Sequence, residues 1–208
     1  MIKLQVQGLT KKFGSKRVFE NLHLKYDNSP LGIAGANGSG KSTFLKCIAH
    51  LLRPNQGNIQ WTMDNKELTA DALQRNMGYA APYINLYEEL TCRENLAFLL
   101  KLRQSDKEVD LVYWLEQLQL GSVINQPFGK LSTGQKQRLR LASAVFHKPD
   151  ILLLDEPGSN LDKVGRELIS DISETYHSSQ KMLIIASNSN RELDLCHNIF
   201  SVEEQKFV

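Results

Sequence analysis

Gly35-Ala-Asn-Gly-Ser-Gly-Lys41-Ser42 follows the spacing G-x-x-x-x-G-K-S. Successive backbone N–H groups in such a turn form a concave anion site, and the helix that follows aims its positive end at it. Gly35, Gly38 and Gly40 let the backbone approach a phosphate, with Asn37, Ser39 and Thr43 completing the stretch. Lys41 is placed to reach the β- and γ-phosphates of a nucleotide, and Ser42 to offer its hydroxyl to Mg²⁺. A second chemical element is Asp155-Glu156, directly after the apolar run Ile151-Leu-Leu-Leu154. Asp155 is read as a metal ligand, acting through water, and Glu156 as the general base for an attacking water. A third is Leu131-Ser132-Thr133-Gly134-Gln135, which opens a stretch carrying Lys136, Arg138 and Arg140. Ser132 and Gln135 form an S-x-x-Q capping box, a plain helix start. They also form, with Gly134, a second anion site, which one nucleotide on one chain does not need. Two chains facing head to tail do need it, each capping the γ-phosphate held by the other.

These groups require elements to position them. Residues 2–7 and, in part, Val18 through Tyr26 alternate apolar and polar side chains, as strands of an antiparallel sheet with one wet face do. Leu31 to Ala34 reads as a strand feeding the glycine loop, and Ser42 to Leu52 as a helix stopped by Arg53-Pro54-Asn55 and Gly57. Asn58 through Met63 reads as another strand. From Thr91 to about Leu120 the period turns helical: Leu96, Leu99 and Leu100 share a face of one helix, and Leu111, Trp114, Leu115 and Leu118 a face of another, with Gly121 ending the stretch. A third helix is expected over 134–146. Ile151–Leu154 and Met182–Ala186 are continuous apolar runs of the kind buried on both faces of a parallel sheet.

Length and composition narrow the classes. At 208 residues, 41% hydrophobic and 23% charged, the chain reads as globular, one domain or one domain with a subdomain. A net charge of +2 gives no electrostatic footprint for nucleic acid. No apolar run approaches the ~20 residues of a membrane helix, and the first ten residues alternate rather than form a signal-peptide core. The widely spaced Cys47, Cys92 and Cys196 suit neither a disulfide framework nor a metal knuckle, pointing to a reducing cytoplasm.

LSTGQKQRLRLASAV, lying between the glycine loop and ILLLDEP, resembles the signature of ABC ATPases. Ser159-Asn160-Leu161-Asp162 is similar to that family's D-loop, and Lys12-Phe13-Gly14 to the segment whose aromatic side chain stacks on adenine. The resemblance covers nearly the whole chain. It implies an α/β fold: a P-loop NTPase (RecA-like) core with an N-terminal antiparallel β part over 1–82 and 147–208, and an inserted helical subdomain over 83–146. It implies an ATPase with ATP and Mg²⁺ as cofactors, Phe13 on the adenine, and a dimer sandwiching two ATP molecules. The second cassette would be another copy or a different chain. It also implies a separate transmembrane subunit, placing the chain on the cytoplasmic face of the membrane. Tyr83, Ile84, Leu86 and Tyr87 form the expected docking segment. The short helical insertion is similar to that of small exporter cassettes such as the haem exporter's ATP-binding subunit.

Two residues depart from the family pattern. Pro82 stands where a glutamine is usual, and Asn188 where a histidine is usual. Asn188 keeps a hydrogen-bond donor for the γ-phosphate without a titratable charge. Pro82 has no polar side chain, so Tyr83 or Asn85 would have to supply the missing group. Slow turnover with intact ATP binding is the expectation. The alternatives are a soluble ABC ATPase, for example of iron–sulfur assembly, and a nucleotide-gated module that hardly hydrolyses.

Overall fold

The computed structural model describes residues 1–27, 30–103, 109–159, 161, 163–179 and 181–208. Among these, ten strands form two sheets. The smaller is antiparallel, in the order β2-β1-β4-β5, from β1 (Ile2–Phe13), β2 (Lys16–Tyr26), β4 (Gln56–Met63) and β5 (Lys66–Glu67). Its alternation is that of the sequence: Ile2, Leu4, Val6, Leu22, Leu24 and Trp61 are buried, and the intervening side chains face outward.

The larger sheet has the order β10-β9-β3-β8-β7-β6. Its members are β3 (Leu31–Ala34), β6 (Met77–Ala80), β7 (Ile151–Asp155), β8 (Met182–Ser187), β9 (Asn198–Ser201) and β10 (Lys206–Phe207). All pairs are parallel except β9–β10. The period of two sorts the apolar runs onto opposite faces. Ile151, Leu153, Met182 and Ile184 join the core beneath the antiparallel sheet and α1 (Lys41–Ile48). Leu152, Leu154, Leu183 and Ile185 join a second core under the remaining helices. Truncating any of these fully buried leucines to alanine should cost about 2–5 kcal/mol.

That second face carries α3 (Cys92–Leu102), α4 (Leu111–Gln117), α5 (Thr133–Val145) and α6 (Lys163–His177). Short α2 (Ala70–Asn76) precedes β6, and α7 (Asn190–Leu193) follows β8. At Gly78 a Cβ would come within 2.1 Å of the Ala144 carbonyl oxygen, so β6 and α5 meet backbone to backbone. None of the helices of the described residues is long and apolar enough to cross a membrane.

Helix ends differ from the sequence reading. α1 stops at Ile48, not Leu52, because His50 takes a left-handed φ of 57° and breaks the ladder before Pro54. The two helices expected between Thr91 and Leu120 are α3 and α4, but the second ends at Gln117, with Gln119 at φ 52°, before Gly121. α6 lies where no apolar run suggested a helix. It buries only a thin stripe, with Gly165, Ile169, Ser173 and Tyr176 at helical spacing.

Candidate functional site

Strand register gathers the chemistry. β3, β8 and β7 lie side by side, with Ala34 opposite Ser187 and Asp155 opposite Ala186. Their C-terminal ends therefore deliver the glycine loop, Asn188 and the Asp155-Glu156 pair to one edge of the sheet, the usual place for ligands in such folds.

The loop between β3 and α1 is built as an anion cradle. Gly40 holds φ 105°, and a Cβ there would meet Val18 Cγ1 at 2.5 Å. α1 starts at Lys41 with no side-chain cap, whereas α2, α3, α4 and α5 are capped by Thr69, Thr91, Asp110 and Ser132. Its first N–H groups and its positive pole thus face the loop rather than a side chain. Lys41 is only 5% exposed. Its ammonium donates to the carbonyl oxygens of Gly35 at 2.8 Å and Ala36 at 3.2 Å, and pairs with Glu156 Oε1 at 3.2 Å.

Asp155 is buried and fully engaged. Ser42 Oγ donates to its Oδ1 at 2.9 Å and the Tyr83 hydroxyl to its Oδ2 at 2.9 Å. Burial pushes its carboxyl above the ordinary carboxylate range, against the pull of these two hydrogen bonds. A buried carboxylate beside a hydroxyl, both hard oxygen donors, fits Mg²⁺. Glu156 adopts a left-handed φ of 46°, uncommon for a residue with a side chain. Its amide is held by the Ala186 carbonyl at 2.8 Å, and Ser187 Oγ lies 3.5 Å from its Oε2. Asn188 is exposed, and its Nδ2 donates to Asn37 Oδ1 at 2.8 Å, so this amide lies directly against the glycine loop.

A cleft of about 620 Å³ opens over the loop. Asn37, Gly38, Ser39, Gly40, Lys41, Ser42, Thr43 and Glu156 line its floor, and Phe13, Lys16, Arg17 and Val18 one wall. Phe13 is 52% exposed there instead of packed under its strand, with the Lys11 ammonium 4.9 Å from its ring centre. Gly35 sits behind the loop, at its junction with β3. Ser132, Gly134 and Gln135 are not among the lining residues. They form the start of α5, where both capping-box bonds are made: Gln135 N to Ser132 Oγ at 3.3 Å and Ser132 N to Gln135 Oε1 at 2.9 Å. In the D-loop-like segment, Asn160 and Asp162 lie outside the described residues.

Two participants escaped sequence reasoning. Glu203, after β9, accepts from the Ala36 amide at 3.0 Å and lines the cleft with Val202 and Gln205. No local motif marks it, because only β9 pairing with β3 brings it there. Glu192 on α7 is half-buried, and burial raises its carboxyl above the usual range, with Ser187 and the Gly158 backbone as hydrogen-bond partners. Of the two candidates to replace the polar group missing at Pro82, Tyr83 reaches Asp155, and Asn85 instead lines a groove behind the site.

A parallel sheet whose strand ends present a phosphate loop, a buried metal-type aspartate and an adjacent glutamate defines a P-loop nucleoside triphosphatase. The family described as ABC transporter matches residues 20–159. The chain is 30% identical over 210 residues to the uncharacterized ABC transporter ATP-binding protein YhaQ of Bacillus subtilis, covering 99% of this chain and 70% of that protein. It is 32% identical to the probable sulfate/thiosulfate import ATP-binding protein CysA of Chlorella vulgaris, covering 98% and 88%. Its structure superposes with TM-score 0.82 and 25% identity on a dimeric ATP-binding cassette in a post-hydrolysis state with ADP and Pi, covering 95% and 93%. The chain belongs to the ABC transporter family and is an ATP-binding, ATP-hydrolysing cassette.

Proposed function

We propose that the chain is the motor subunit of an ABC transporter, working as a head-to-tail dimer that closes on two ATP molecules and opens after hydrolysis. The observation that carries this reading is the split between two anion sites. The glycine loop, Lys41 and Glu156 line one cleft, Asn188 hydrogen-bonds that loop at Asn37, and the Ser132 helix start stands outside the cleft. A second copy facing head to tail supplies that second site to the γ-phosphate. The dimeric cassette that this fold resembles supports the arrangement.

In the cleft, Phe13 stacks on adenine and the loop amides cradle the phosphates. The phosphate oxygens take over Lys41 from Glu156 and the loop carbonyls. Glu156, released, accepts a proton from water as its oxygen attacks the γ-phosphorus and the bond to the β–γ bridging oxygen breaks. Asn188 turns its amide from Asn37 to the γ-phosphate. Ser42 and Asp155 would hold Mg²⁺, which would supply neutralisation of the phosphate charge.

Core residues 1–82 and 147–208 then move against a helical subdomain over 83–146. The transmembrane subunit docks behind the site, on an apolar groove of about 420 Å³ lined by Leu51, Leu73, Ile84, Leu86 and Leu99. Within the expected docking segment Leu86 is buried, whereas Tyr83 and Tyr87 are exposed. On this reading the cassette works at the cytoplasmic face of the membrane, held there by the transmembrane subunit.

The test is Glu156→Gln, which keeps the geometry and removes the base. Sedimentation with Mg-ATP should give a dimer that reverts to monomer without nucleotide and that fails to form when Ser132 is also replaced by arginine. Strictly monomeric Glu156→Gln protein at high concentration would refute self-pairing.

A further inference from the structure

Behind Asp155 runs a short chain of hydroxyls. Tyr83 donates to Asp155 Oδ2 at 2.9 Å, and the Tyr79 hydroxyl hydrogen-bonds that of Tyr83. A phenol has one proton. Since Tyr83 gives its proton to the carboxylate, Tyr79 must donate to Tyr83. The order is therefore Tyr79 to Tyr83 to Asp155, and each bond polarises the next. The Tyr83 ring is fixed from its other side: the Lys46 ammonium sits 4.0 Å from its centre. Lys46 lies on α1, the helix that begins at the phosphate loop. Tyr83 thus touches two parts of the site, although the residue before it, Pro82, can touch neither with a polar group.

Asp155 has two carboxylate oxygens, and the two bonds divide them. Ser42, the hydroxyl assigned to Mg²⁺, holds Oδ1, and Tyr83 holds Oδ2. Without Tyr83 the carboxylate would be held by Ser42 at one oxygen only and would present the other unpaired in a buried place. We propose that Tyr83 is the positioning residue of the metal site, orienting Asp155 for Mg²⁺ in place of the side-chain amide that Pro82 cannot provide. This deepens the reading of the cleft as an Mg-ATP site and rests on it. Outer-shell partners of metal ligands are typically worth about 10–100-fold in metal affinity, and Tyr83 is expected to fall in that range.

Tyr83→Phe tests it, because the ring and its contact with Lys46 remain and only the hydroxyl is lost. Two affinities are measured on the intact chain: a non-hydrolysable ATP analogue without metal, and Mn²⁺ in the presence of that analogue, read by electron paramagnetic resonance. The expected result is unchanged metal-free nucleotide affinity, within about twofold, and Mn²⁺ affinity lowered by about 10–100-fold. Tyr83→Gln should recover part of the Mn²⁺ affinity. Tyr79→Phe should lose less than Tyr83→Phe, since it acts one bond further away. Mn²⁺ affinity within twofold of wild type in Tyr83→Phe would overturn the proposal. So would an equal loss of metal-free nucleotide affinity, which would make Tyr83 a support of the loop alone. Failure of the wild-type chain to bind the analogue at all would instead refute the reading of the cleft.

Discussion

Replacement of Asn188 separates two roles that one hydrogen bond leaves joined. As a latch on the glycine loop, its amide contributes the 2.8 Å bond to Asn37 and little else, because the side chain is exposed. Losing an exposed amide bond of this kind should cost less than about 1 kcal/mol of stability. As a donor that turns to the γ-phosphate in the transition state, the same amide is worth more. Removing one positioned donor of that type typically lowers the rate about 10²–10³-fold, or about 3–4 kcal/mol. Asn188→Ala should therefore lose at least 10-fold in kcat for phosphate release at saturating Mg-ATP. Its thermal midpoint and nucleotide affinity should stay close to wild type. Asn188→His, longer and able to carry charge, should raise kcat above wild type. An alanine variant with wild-type kcat would show that the amide is only a latch. An unchanged rate in Asn188→His, on a wild-type enzyme that already turns over briskly, would refute the idea that asparagine impairs the clamp.

Phe13→Ala should weaken ATP binding about tenfold while leaving the unfolding midpoint nearly unchanged, because the ring is half-exposed in the cleft and supports no core; equal affinities by calorimetry would reject adenine stacking. The three cysteines should resist alkylation in the native protein. Burial raises Cys47 and Cys92 to about 11 and Cys196 to about 12, so at pH 8 their thiolate fractions are about 10⁻³ or lower, and reactivity should grow only as pH climbs toward those values. A thiol reagent should label all three in denaturant and none promptly without it; one fast native site would contradict the burial argument.

Much of the site was legible because its parts are local. The glycine loop, Lys41 and Ser42 are contiguous, and their chemistry depends on backbone amides in sequence order. The acids Asp155 and Glu156 follow an apolar run whose length and lack of alternation mark a strand buried on both faces. The structure places that run inside the parallel sheet, between β8 and β6 and buried throughout. Helix ends were less legible, since left-handed His50 and Gln119 are neither glycine nor proline and carry no compositional signal. α6 escaped because small and polar Gly165 and Ser173 fill half of its buried stripe.

By itself, then, the sequence determined the residue types of a nucleotide site and the sheet that would carry them, because both arise from short-range spacing. Tertiary structure alone decided which neighbours complete that site. Tyr83 reaches Asp155 across 72 residues, Asn188 reaches Asn37 across 151, and Glu203 reaches Ala36 across 167. Each is a single polar contact set by strand order, and strand order depends on how whole apolar faces pack, which no local pattern encodes.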